Sequence, residues 1–326
     1  MTNYIGFIGG SGLYDLDFLE DIKYHDLRSS MGNPSDKIIE GKIDGNKIFF
    51  LSRHGKGHKL SPSSINYRAN IDCFKQCGVT DIISLSAVGS LKDNLSPGTF
   101  VIVDQFIDRT INRKKSFFNN GIVAHVPMAK PVSEELMNAS AIILKKLNLL
   151  YSYGGTYLAM EGPQFSTYAE SNLYRQWGCD VIGMTNMPEA KLAREAEIRY
   201  CSISMVTDYD CWNSEHESVD LNILIKTLND NVDKSKLFIK SFSEYYYQGI
   251  DFTKDETSTI LDSSIVTPRD NWDSKVEDSL SIIKSLSVDG VLVNLKIFSK
   301  IKKYDKLCFS GESLEIDNRY AAFVRR

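Results

Sequence analysis

Arg53 and His54 stand where an apolar run, FFLS at residues 49–52, gives way to GKGH. A guanidinium at the end of a strand can grip two phosphate oxygens at once, and an imidazole beside it adds a donor. Further upstream, Gly9-Gly10-Ser11-Gly12 interrupts another apolar run. Such a turn either tightens the exit from a first strand or lets backbone amides surround an anion, with the Ser11 hydroxyl as a further donor. It is not a dinucleotide fingerprint. That motif needs Gly-x-Gly-x-x-Gly, and here the glycines fall at 6, 9, 10 and 12, with Asp15 where the last should stand. Nor is it an ATP loop, because no Gly-Lys-Ser/Thr follows. A third small-residue stretch, Ser86-Ala87-Val88-Gly89-Ser90, follows the apolar DIISL and would let a ligand lie against the backbone.

The elements that must hold these residues alternate between strand and helix patterns. Apolar runs predict strands at 4–8, 81–87, 99–104, 180–184 and 199–207, and a hairpin at 37–43 and 47–52 around Asp44-Gly45-Asn46. Helices are predicted over 63–77, 134–147, 168–177, from Pro188 onward and over 219–242. The alternation argues an α/β fold with a mixed, twisted central sheet flanked by helices. After Tyr246 the chain becomes polar and weakly periodic, with one further helix expected over 274–286. The expected organisation is a catalytic domain, residues 1–245, and a C-terminal helical segment and extension, residues 246–326, packed on or beside it.

A net charge of −4 gives no global attraction for nucleic acid or an anionic membrane, so any anion site must be built locally. No secretion signal or membrane span is expected, and the six scattered cysteines fit reduced thiols in a cytoplasmic protein. Cys73 and Cys77 lack two partners at metal-ligand spacing, so no metal is expected.

Read together and in order, GGSGLYD, LSRHGKGH, NYRANI, SAVGSL, PGTFVIVDQFIDRT, HVPMAKP, MEGPQFSTYAES, GMTNMPEA and TDYDCW resemble the trimeric purine nucleoside phosphorylase family, in its 5′-methylthioadenosine branch. The resemblance runs from residue 4 to about 242. It implies phosphorolysis: inorganic phosphate, a co-substrate rather than a cofactor, displaces a purine from the sugar, with no metal and no covalent enzyme intermediate. It also implies a homotrimer whose sites lie at subunit boundaries.

Residue by residue, the resemblance implies that Ser11, Arg53, His54, Ser86, Ala87 (through its amide) and Thr185 bind phosphate. Met184 would face the ribose. Phe165, Ser166, Asp208 and Asp210 would hold the base. A carboxyl group can accept from the N6 amino group and, when protonated, donate to N7, so Asp208 is the expected general acid and Arg53 and His54 its catalytic partners at the phosphate. Relatives that take 6-oxopurines usually carry asparagine at this position, so Asp208 points to adenine. Leu221, Leu224 and Ile225 share a helical face and match the apolar 5′ pocket, to which His125 would be lent by a neighbouring subunit.

Ser11 replaces the threonine of many relatives, and Gln164 an arginine of some. The chain beyond about residue 286 exceeds what the resemblance implies. The expected reaction converts S-methyl-5′-thioadenosine and phosphate to adenine and the sugar 1-phosphate. Its alternatives are a phosphorylase for adenosine, inosine, guanosine or methylthioinosine, and a nucleoside-binding protein without turnover.

Overall fold

The computed structural model describes residues 3–119, 121–213 and 221–283, and beyond them only the backbone of four short strands between 286 and 314; side chains at 221–224 are also outside the described set. In chain order the sheet elements begin with β1 (Ile5–Gly9), β2 (Glu20–His25), β3 (Ile38–Ile43), β4 (Asn46–Ser52) and β5 (Asp81–Ser90). They continue with β6 (Phe100–Val103), β7 (Gln105–Asp108), β8 (Tyr151–Tyr153), β9 (Thr156–Ala159), β10 (Val181–Gly183) and β11 (Arg199–Asp208). The helices are α1 (Tyr67–Gln76), α2 (Glu134–Lys146), α3 (Tyr168–Gln176), α4 (Asn186–Glu195), α5 (Leu221–Tyr247) and the short α6 (Leu261–Ser264) and α7 (Ser274–Ser279).

All eleven strands join one mixed sheet in the order β2-β3-β4-β1-β5-β10-β9-β7, with β11 on the other edge of β5, β6 beyond it and β8 beyond that. The expected α/β architecture is therefore the observed one. The β3–β4 hairpin closes through Asp44 (φ 49°) and Gly45 (φ 80°), the two left-handed residues that a tight two-residue turn requires. Helix α5 buries Phe238, Ile239 and Phe242 against the sheet, with Phe242 edge-on to Phe7 of β1 at 6.3 Å.

The strand that organises the site is β5. Its first half pairs in parallel with β1 through Leu85, and its last residues, Gly89 and Ser90, pair antiparallel with β10 on that same edge. Ser86–Val88 is left without a strand neighbour there, while β11 covers the opposite edge. The break is a switch point of the kind where open α/β sheets bind ligands.

Several boundaries differ from expectation. The helix predicted over 63–77 is two elements: a 3-10 turn, Pro62–Ser64, and α1, which starts only after Asn66 caps it by accepting from the Ala69 amide at 3.2 Å. The helix predicted over 274–286 ends at Ser279, and Leu286–Val288 instead pairs antiparallel with Val291–Val293. Strands β2, β7, β8 and β9 lie outside the predicted set. They are three to six residues long, and β2 is exposed and charged, so none carries an apolar period.

The described part of the C-terminal segment packs on the body. Arg199 grips Asp81 through two hydrogen bonds and lies 3.7 Å from the Phe252 ring centre, while the Tyr246 hydroxyl donates to the same aspartate at 2.6 Å. Downstream, Ile265 bridges to Ala124, and the His125 amide donates to the Ser264 carbonyl at 2.8 Å.

Candidate active site

A cavity of about 340 Å³ opens at the break in the edge of β5. Its wall carries all six residues expected to hold phosphate, Ser11, Arg53, His54, Ser86, Ala87 and Thr185, together with Phe165, Met184, Asp208 and Asp210.

Part of the backbone of the glycine turn is committed to the fold. The Gly10 amide is spent on the Leu85 carbonyl at 2.9 Å, and the Leu13 amide returns to the Gly10 carbonyl at 3.1 Å. The glycines are there for close approach: a Cβ on Gly9 would lie 2.3 Å from the Leu13 carbonyl oxygen, and one on Gly10 2.9 Å from Nη1 of Arg53. The turn thereby presents Ser11 and lets Arg53 reach the wall. The alternation of β5 puts the Ala87 amide on the same edge as the Leu85 carbonyl, towards the gap. Beside it, the buried Ser86 hydroxyl has no hydrogen-bond partner among the described residues.

The bidentate fork of Arg53 faces away from the cavity. Nε donates to Oε2 of Glu189 at 2.8 Å and Nη2 to Oε1 at 3.0 Å, in a pair whose side chains are 1% and 2% exposed. Nη1, bonded at 3.3 Å to the Leu85 carbonyl, retains one proton for a ligand. Burial alone would lower the guanidinium pKa, but the Glu189 charge and hydrogen bonds outweigh it and hold Arg53 firmly charged. Glu189 also accepts from Ser84 at 2.6 Å and Tyr200 at 2.8 Å. A satisfied buried network thus backs the phosphate end.

His54 is an acceptor where the sequence suggested a donor. Its Nδ1 lies 2.8 Å from the Leu60 carbonyl, which can only accept, so Nδ1 carries the proton of the neutral ring. Burial, helped by the Arg53 and His58 charges, pushes its pKa down to about 4. Nε2 is then free to accept from a protonated phosphate oxygen. His58, absent from the predicted set although it stands in LSRHGKGH, lines the cavity and stacks on His54 with ring centres 4.1 Å apart.

Asp208 ends β11 at an irregularity in its pairing with β5. Oδ1 accepts from the Asp210 amide at 2.8 Å and Oδ2 from the Thr207 hydroxyl at 2.7 Å. Burial raises its pKa against those two bonds. Asp210, at φ 52°, is raised by burial as well, with the Asp208 charge adding to the shift. Its Oδ2 has no hydrogen-bond partner among the described residues. Two carboxyl groups that resist ionising, one with a spare oxygen, suit an edge that both donates and accepts.

The remaining predicted residues are placed unevenly. Phe165 lines the mouth but is 82% exposed. Ser166 follows it just off the wall, its carbonyl facing the Cys211 thiol at 3.4 Å. Leu221 and Leu224 have side chains outside the described residues. Ile225 is 46% exposed and off the wall, and Leu228, one turn later, lines the cavity instead. His125 is exposed and does not line this chain's cavity. None of the described residues 246–283 does so either. Cys73 and Cys77, on or next to α1, have thiols pushed up to about 12 by burial.

Comparison with known proteins gives a consistent picture. The family model described as the phosphorylase superfamily matches residues 4–244. The S-methyl-5′-thioadenosine phosphorylase of Rhodospirillum rubrum is 52% identical over 279 residues, covering 86% of this chain and 95% of the relative. That of Cereibacter sphaeroides is 54% identical over 236 residues, 72% of this chain and 81% of the relative. Among solved structures, a methylthioadenosine phosphorylase from an antarctic soil metagenomic library superposes with a TM-score of 0.81 at 41% identity, over 86% of this chain and 98% of the other. The methylthioadenosine phosphorylase of Schistosoma mansoni in complex with adenine gives 0.77 at 32% identity, over 81% and 99%.

Proposed function

The chain belongs to the phosphorylase superfamily, and from that premise we propose that it cleaves S-methyl-5′-thioadenosine with inorganic phosphate, releasing adenine and S-methyl-5-thio-α-D-ribose 1-phosphate. It is an enzyme of the pentosyltransferase class.

Phosphate sits at the Ser11, Arg53, His54, Ser86, Ala87 and Thr185 end of the cavity, beneath the anomeric carbon. The bond from N9 to C1′ breaks and its electron pair moves into the purine. Asp208, whose pKa burial raises, donates a proton at N7 when it is in its acid form, and the second carboxyl, Asp210, accepts from the N6 amino group. A phosphate oxygen then bonds to C1′. Positioning and fixed charge do most of the work, and proton donation to the leaving base adds about 10²–10⁴ in rate. The protein needs no cofactor in this scheme.

One observation carries the reading. All six proposed phosphate residues and both carboxyl groups line one cavity, although they come from β1, β4, β5, β11 and the β10–α4 corner. A nucleoside-binding protein without turnover would have no use for the phosphate end. We assign the working assembly as a homotrimer in the cytoplasm. Phe165, 82% exposed at the mouth, supports a neighbour there, and His125 would be lent across that boundary to the 5′ pocket that Leu221, Leu224 and Ile225 match. No described helix is long and apolar enough to cross a membrane.

Chromatography of reactions with methylthioadenosine, adenosine, inosine, guanosine and methylthioinosine, each with phosphate, tests the substrate assignment. Methylthioadenosine is expected to give the highest kcat/KM, and faster turnover of a 6-oxopurine nucleoside would overturn it.

A further inference from the structure

Arg113 is absent from the cavity wall, yet its side chain holds together the segments that build the nucleoside half of it. It sits in the loop after β7 and is 8% exposed. Nη1 donates to the carbonyls of Met184 and Met187, the latter at 2.7 Å. Nη2 donates to the Glu161 carbonyl at 2.7 Å, and Nε lies 3.3 Å from the Ser63 hydroxyl. The guanidinium carbon lies 5.5 Å from the centre of the Tyr67 ring.

Glu161 adds a second set of ties, with Oε1 3.7 Å from Arg113 Nε. Its carboxylate accepts from the backbone amides of Ile111 and Asn112, the second at 3.2 Å, and from Ser63. The loop is thus tied to Glu161 by its backbone, while its arginine ties Glu161's own carbonyl to the β10–α4 corner. Each segment leads into the site: the corner carries Met184 and Thr185, and the chain after Glu161 carries Phe165 and Ser166.

We propose that Arg113 is a positioning residue for the reaction, setting the spacing between the Met184 corner and the Phe165 loop, between which ribose and purine lie. The inference rests on the function assigned above. A guanidinium suits the task because its donors are fixed in one plane and reach carbonyls of two segments at once. A lysine is a single charged point on a flexible stem. Five of the six phosphate residues, Ser11, Arg53, His54, Ser86 and Ala87, hang on the ends of β1, β4 and β5, to which Arg113 makes no hydrogen bond among the described residues, and Thr185 alone shares the Met184 corner. Loosening the clamp should therefore fall on the nucleoside more than on phosphate.

Steady-state kinetics of Arg113→Lys, Arg113→Met and Glu161→Gln, with each substrate varied in turn, test this. Misplacing a bound substrate by about 1 Å costs up to about 10²-fold, so the arginine variants should lose about 10–100-fold in kcat/KM for methylthioadenosine, with KM raised. The phosphate KM should stay within about 3-fold of wild type, and Glu161→Gln should show a smaller effect in the same direction. Should Arg113→Met not fold, the lysine and glutamine variants carry the same comparison. Nucleoside kinetics unchanged in the folded variants would refute the inference, as would a fall in kcat with both KM values unmoved, which marks only a lost active fraction. A wild type that releases no adenine removes the assigned function and this inference together. An active wild type with unaffected variants removes this inference alone.

Discussion

Replacing Glu189 by glutamine strikes the network behind the phosphate end without touching the cavity wall. The carboxylate takes Arg53 Nε at 2.8 Å on Oε2, and Arg53 Nη2, Ser84 and Tyr200 on Oε1. A carboxamide can keep the Oε1 contacts, but its NH2 group then opposes the Nε–H of Arg53, donor against donor. Arg53 keeps its charge in a site with side chains 1% and 2% exposed. Removing one partner of a buried ion pair costs about 3–5 kcal/mol, which for a domain of this size lowers Tm by roughly 6–20 °C. Phosphate should partly restore it. With Glu189 neutral, a bound phosphate becomes the main counter-charge to Arg53, so the Tm gap to wild type should narrow as phosphate rises. Saturation at about 100 times Kd contributes about 2.7 kcal/mol to any protein that binds it, and the variant should gain more than wild type. Thermal melts of both proteins over a phosphate series measure this. A Tm within 2 °C of wild type without phosphate, at odds with a cost of about 3 kcal/mol, or identical phosphate shifts in the two proteins, would refute the reasoning.

Asp208→Asn should lower kcat/KM for methylthioadenosine by about 10²–10⁴ and admit some inosine turnover. Because the active form is the protonated acid and burial raises its pKa, the wild-type rate should fall on the alkaline side of a pH profile, and the variant should lose that limb. Glu195 is pushed up to about 7 by burial. Its folded state therefore holds a proton that the unfolded chain has released, and the associated stability, about 3 kcal/mol, is lost as pH rises from about 4.5 to about 7. Denaturant unfolding of wild type and Glu195→Gln across that range should show the fall flattened in the variant. Gly9→Ala would set a Cβ 2.3 Å from the Leu13 carbonyl oxygen. It should cost about 1–3 kcal/mol of overpacking, read by the same unfolding assay.

Much of the fold is written locally in the chain. Apolar runs gave β1, β5 and β11 to within a few residues, and the Asp44-Gly45 turn marked the hairpin. Short strands such as β7 and β9 are set by their neighbours in the sheet and leave no period of their own. Helix α1, expected from residue 63, starts only after its cap Asn66, two residues past a 3-10 turn. In the site, residue types and motif order brought the wall residues into view. Their partners were beyond reach because they are distant in sequence: Glu189 meets Arg53 across 136 positions, and Arg113 meets Met184 across 71. The motif GMTNMPEA held Glu189 in plain sight, but a buried glutamate within an otherwise ordinary helix start carries no local mark of its arginine. The role of His54 turned on a single carbonyl, that of Leu60, which fixes the tautomer.

The proposed reaction uses inorganic phosphate as the nucleophile, and the most direct measurement follows adenine formed from methylthioadenosine by the purified protein with and without phosphate. One adenine and one sugar 1-phosphate are expected for each phosphate consumed, and no release above background in its absence. Adenine formed at the same rate without phosphate, or free methylthioribose in place of its 1-phosphate, would contradict it.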